Sequence, residues 1–83
     1  MTDALRAPKI TAAQIAELRA LRGAGPVPDA FLARLAEHYM KAEADGVLNP
    51  ARHLAEYLEV QRQTVMVYMR MARNRRLTSK NRR

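Results

Sequence analysis

Apolar and polar positions along this chain recur with the 3.6-residue period of helices, in blocks separated by glycines, prolines and one short polar turn. The first block opens at Ile10-Thr11-Ala12-Ala13-Gln14-Ile15. Thr11 is placed to cap a helix, Gln14 three residues on completes a capping box, and Ile10 and Ile15 stand where a hydrophobic staple requires them. Ile15, Leu18 and Leu21 then form a short apolar stripe that stops at Gly23, so a helix of about three turns is expected. The segment Gly23-Ala24-Gly25-Pro26-Val27-Pro28 forbids helix continuation. Asp29 follows as an N-cap or first-turn acid. Between about Ala30 and Asp45 the residues Phe31, Leu32, Leu35, Ala36, Tyr39 and Ala42 make one helical face. Glu37 and Lys41 have the spacing of an i, i+4 surface pair, and Gly46 ends the block.

Asn49-Pro50 restarts the chain, because Asn is a preferred N-cap and Pro costs nothing at the first helical position. A short helix from Pro50 to Leu58 is expected to bury Leu54, Ala55 and Leu58. Glu59-Val60-Gln61 makes a turn, with Val60 expected to be buried just after it. A last helix from about Arg62 to Arg75 carries Val65, Tyr68, Met69 and Ala72 inward, and Leu77 folds back as an apolar plug. The expected organisation is a flexible N-terminus at 1–10, one helical domain at 11–77 and a basic flexible tail at 78–83.

Composition agrees with an all-α fold. Good helix formers abound, and the aromatic residues are only Phe31, Tyr39, Tyr57 and Tyr68. Eighty-three residues suffice for one small domain and one modest core. No run approaches the roughly 18 apolar residues of a membrane span, and the start of the chain, with Asp3, has no apolar leader segment. With no cysteine present, a reducing cytoplasm is the expected location.

Charge changes the picture more. The formal net charge is +7, and residues 1–48 hold six Lys/Arg against six Asp/Glu. Residues 49–83 hold nine Lys/Arg against Glu56 and Glu59, so nine minus two accounts for the whole excess. A one-sided excess of this kind is the electrostatic footprint of a polyanion-binding face; a solvated tail that serves solubility is the plainer alternative.

The segment HLAEYLEVQRQTVMVYMRMARNRRL resembles the helix-turn-helix modules of bacterial and phage transcriptional regulators. The resemblance rests on the pattern A-x-x-L-G-V-x-x-x-T-V-x-x-(aromatic)-x-x-x-A-x-x-x-x-L. Ala55, Leu58, Val60, Thr64, Val65, Tyr68, Ala72 and Leu77 match it, and Glu59 stands where the pattern has Gly. With the supporting helix the resemblance covers residues 30–77. It implies a tri-helical helix-turn-helix core, with the motif at 49–76 and an additional N-terminal helix.

It also implies sequence-specific binding of double-stranded DNA, with the helix at about 62–75 in the major groove. On that resemblance the base-contacting residues are Gln61, Arg62, Gln63, Met66 and Val67. Arg70 faces the groove and, with Asn49, Arg73, Arg75 and Arg76, contacts phosphates. Arg pairs with guanine, Gln with adenine, and an apolar side chain meets the thymine methyl, whereas phosphate contacts give affinity without sequence information. One such module buries little surface, so a homodimer or a partner protein is expected on the DNA.

The run Val65-Met66-Val67-Tyr68-Met69 leaves this helix apolar nearly all round, which points as much to packing, on a dimer partner or on the Thr11–Leu21 helix, as to groove contact. The alternative function is therefore a protein–protein interaction module that docks through the Met-rich helix. His38 and His53 lack metal-ligand spacing, Ser79 lies in the tail, and no glycine loop cradles a phosphate. No enzyme, metal, cofactor or small-molecule ligand is expected.

Overall fold

A computed structural model describes residues 10–78, which form four α-helices and, among these residues, no strand. Helix α1 spans Ala12–Arg22, α2 Asp29–Ala44, α3 Pro50–Leu58 and α4 Arg62–Asn74. None is long and apolar enough to cross a membrane. Apart from Ile10 and Thr78, the expected flexible start and basic tail lie outside the described residues.

The helix starts follow from local chemistry. The Gln14 amide donates to the Thr11 hydroxyl at 3.1 Å, and the Thr11 amide donates to Gln14 Oε1 at 3.0 Å, which closes the capping box. The Arg52 amide donates to Asn49 Oδ1 at 3.1 Å, with Pro50 at the head of α3. Pro28 is the N-cap of α2, which makes Asp29 the first-turn acid. At α4 the N-cap is Gln61, whose side chain makes no capping bond, and the first turn holds no acid. The positive end of that helix is therefore uncompensated.

Three helices end in one backbone device: a left-handed residue, then an amide that reaches back to a carbonyl five positions earlier. The left-handed residue is Gly46 (φ 88°) after α2, with Val47 N donating to Ala42 O at 3.0 Å. It is Glu59 (φ 60°) after α3, with Val60 N donating to Ala55 O at 3.0 Å. It is Arg76 (φ 60°) after α4, with Leu77 N donating to Ala72 O at 2.8 Å. A side chain in this region costs on the order of 1 kcal/mol relative to Gly. Glu59→Gly is therefore expected to raise the unfolding free energy by about 1 kcal/mol, read by urea denaturation. The exposed ion pair it removes (Arg19 with Glu59, 3.5 Å) offsets little of that gain.

The core is built around α2, whose Phe31, Leu32, Leu35 and Ala36 are buried together with Leu18, Ala51, Leu54, Ala55, Val65, Met69 and Ala72. The Phe31 and Tyr68 rings meet edge-on, with centroids 5.1 Å apart and planes at 82°. Helix α4 lies against α2 and α3, and α1 lies against the same two helices through Leu18. Tyr39, Leu58, Tyr68 and the expected plug Leu77 are partly buried against this core.

Four expectations change. Val60 is 36% exposed instead of buried. It lines a cleft of about 130 Å³ with Leu18, Phe31, Leu58 and Tyr68, because the larger Leu58 and Tyr68 side chains already pack against the core beneath the turn. Ile15 is only half-buried; Leu18 is the one fully buried residue of α1, with Leu21 partly buried against the core. The Glu37–Lys41 pair does not form. Arg34 instead forks between Glu17 (3.1 Å) and Glu37 (2.8 Å), and Lys41 meets Asp45 at 3.1 Å. Finally, α1 does not cover Met66 and Val67, which are each 43% exposed.

His38 stands half-buried on α2, and its Nε2 has no hydrogen-bond partner. Burial, and secondarily the Arg34 charge, push its pKa below the ordinary 6.5, against the weaker pull of Glu37 and Glu17. The unfolded chain thus takes up this proton more readily than the folded one. The stabilisation is fully present above pH 6.5 and is lost as the pH falls through the folded value. Thermal melts from about pH 7.5 to about pH 5 are expected to show a larger loss of stability for the native chain than for His38→Gln.

Candidate nucleic-acid interface

The interface candidate begins with what α4 does not bury. Val65, Met69 and Ala72 are its buried positions, and Arg62, Gln63, Met66, Val67, Arg70 and Arg73 are exposed, as is Asn74 at its last position. At helical spacing the first six of these exposed residues form one stripe, about 16 Å long at 1.5 Å per residue. Gln61, just ahead of the helix, is exposed as well, as are Asn49, Arg75 and Arg76. Every residue assigned to DNA from the sequence therefore reaches the surface, and those on α4 share one face.

Their charges are not equally available. Arg62, Arg70, Arg73 and Arg76 have no ion-pair partner among the described residues, and α4 itself contains no acid. Arg75 differs. Its Nη1 lies 2.8 Å from Asp29 Oδ1 and donates to the Val27 carbonyl at 2.9 Å. It fastens the end of α4 to the elbow between α1 and α2, and its charge is offset there. Asn49 has its carbonyl oxygen committed to the Arg52 amide. Arg52 is paired along α3 with Glu56 at 3.4 Å.

No family model, curated protein or solved structure matches the chain. The site has to be judged on its own chemistry.

The acid in the turn, Glu59, would repel a phosphate backbone if left alone. Arg19 on α1 approaches its carboxylate at 3.5 Å and donates to the Tyr57 carbonyl at 3.3 Å. One guanidinium thus offsets the acid and satisfies a carbonyl in the last turn of α3. Arg22, from the same helix, donates to the Tyr68 hydroxyl at 3.2 Å and to the Gly25 carbonyl at 2.9 Å, with its charged carbon 5.8 Å from the Tyr68 ring centre. Neither role is signalled locally, since Tyr57 and Tyr68 lie 38 and 46 positions further along the chain.

The other titratable candidates stay apart. His53 stacks edge-on against Tyr57 with ring centres 5.1 Å apart, while His38 sits on α2. Among the described residues no three His, Asp or Glu side chains converge.

Proposed function

We propose that the chain is a sequence-specific DNA-binding protein, a small transcriptional regulator whose α3–turn–α4 unit is a helix-turn-helix that inserts α4 into the major groove of duplex DNA. The observation that carries this is the exposed α4 stripe, with unpaired arginines at both ends and no acid within it. The buried positions of α4 are Val65, Met69 and Ala72, so the core does not draw on that stripe.

Roles follow from position. Gln61, Arg62 and Gln63 enter first and address base edges, Arg with guanine and Gln with adenine. Arg70, Arg73 and Arg76, further along, take phosphates. The uncapped, positively polarised start of α4 favours the same anionic surface. Asn49 can still donate from its amide nitrogen to a phosphate. Arg75, held by Asp29, is left out of the contact set.

One α4 stripe of about 16 Å reads only a few base pairs, so two copies on paired half-sites, or a partner protein, complete the complex. Selection of bound sequences from a random duplex pool tests the proposal. Recovery of a defined motif is the expected result, and a two-fold symmetric motif marks a dimer. A pool that returns no motif under conditions where the chain is folded contradicts sequence-specific binding.

A further inference from the structure

We propose that the cleft between α1 and the α3–α4 turn binds a small aromatic carboxylate, a site that goes beyond the DNA-binding function and does not depend on it. The cleft has a volume of about 130 Å³, and its apolar walls are Leu18, Phe31, Leu58, Val60 and Tyr68. An apolar cavity of about 150 Å³ takes benzene, so this one has room for a single ring. The walls come from all four helices and the turn, which is why no local pattern in the sequence signals the site.

Two features of the cleft call for an occupant. Val60 is a branched apolar side chain left 36% exposed at the lip, although Leu58 and Tyr68 beside it pack on the core. A ring in the cleft covers it. The second feature is Arg22, half-buried in the wall. Its guanidinium donates from Nε to the Tyr68 hydroxyl at 3.2 Å and from Nη1 to the Gly25 carbonyl at 2.9 Å. Both acceptors are neutral, and no carboxylate pairs with Arg22 among the described residues. A partly desolvated cation without a counter-charge is unfavourable, and an anion supplied from outside offsets it. Arg19 also lines the cleft, but its charge is taken by Glu59 at 3.5 Å, and it donates to the Tyr57 carbonyl. No acid is among the lining residues. The complement of these walls is a planar apolar body with one carboxylate turned to the remaining N–H groups of Arg22, a geometry the guanidinium fork suits.

Benzoate is the probe, titrated into the native chain at constant ionic strength and followed by the nuclear magnetic resonances of Val60 and Tyr68. It is expected to shift both, with a dissociation constant on the order of 1 mM. Benzyl alcohol keeps the ring without the charge and is expected to bind about tenfold more weakly. Acetate keeps the charge without the ring, controls for the exposed arginines of α4, and is expected to leave Val60 and Tyr68 unmoved. Arg22→Gln is expected to weaken benzoate about tenfold and leave benzyl alcohol unchanged. Should that variant fail to fold, Val60→Phe, which places a tethered ring at the lip, is expected to abolish the benzoate shift at Tyr68. Benzoate binding no tighter than benzyl alcohol, or shifting only the resonances that acetate shifts, overturns the proposal. If Val60 and Tyr68 shift with protein concentration alone and not with benzoate, a second copy covers the cleft and the ligand site falls. Duplex binding is read separately, so neither result bears on the DNA-binding function.

Discussion

Replacing Arg62 and Arg70 together by alanine is expected to weaken duplex binding on the order of a hundredfold. Arg62 heads α4, is exposed and has no ion-pair partner among the described residues, so its fork is free for a guanine edge. Loss of one such contact costs about 1–3 kcal/mol and relaxes specificity at one base pair. Arg70 lies two turns further along the same stripe; in its proposed role as a phosphate contact, its loss is expected to weaken all sequences about equally and to shallow the salt dependence. The single variants separate the roles: Arg62→Ala changes the recovered motif, and Arg70→Ala leaves it intact. Neither side chain supports the core, and helical content and melting temperature are expected to stay within experimental error of the native chain. Unchanged binding by the double variant contradicts the placement of α4 in the groove.

The second large effect lies in the core. Leu54 is completely buried on α3, within the cluster that joins α3 to α2 and α4. Leu54→Ala is expected to cost about 2–5 kcal/mol, the lost transfer energy plus the cavity left behind. A domain of 83 residues has a total stability of about 4–12 kcal/mol, so this substitution removes a large share of it. Urea denaturation reads the loss as a lower midpoint with an unchanged slope. The matched control is Met66→Ala, exposed on α4 and expected to shift stability by no more than about 0.5 kcal/mol. Equal effects of the two substitutions contradict the assignment of inner and outer faces.

The helical pattern was legible because its signals are local. The capping box at Thr11 and Gln14, Asn49-Pro50 at the head of α3 and Gly46 past the end of α2 each act within a few residues, and each stands where the spacing predicts. The buried face of α2 was legible for the same reason, since its period alone sorts inward from outward positions.

What period cannot supply is the meeting of distant elements. Val60 has the residue type and spacing of a buried turn residue, yet Leu58 and Tyr68 pack beneath the turn and leave it at the lip of a cleft. Arg75 looks in sequence like one of a basic cluster. Its partner Asp29 is 46 positions away, and only the path of α2 across the end of α4 brings them together. Arg19 likewise gives no sign in sequence that it offsets Glu59. The exposed face of α4 was legible by complement, as what remained once the inward stripe was assigned. The run Val65–Met69 nonetheless pointed as strongly to burial all round, and the outcome depended on α1 taking its place against α2 and α3.

DNA binding through the free arginines on and just after α4 is tested most directly by titrating one duplex at a series of salt concentrations. Three unpaired guanidinium groups proposed to meet phosphates, those of Arg70, Arg73 and Arg76, release counterions when they neutralise them. The logarithm of the association constant is then expected to fall linearly with the logarithm of salt concentration, with a slope of about −3. A slope indistinguishable from zero, or no binding at low salt, contradicts it.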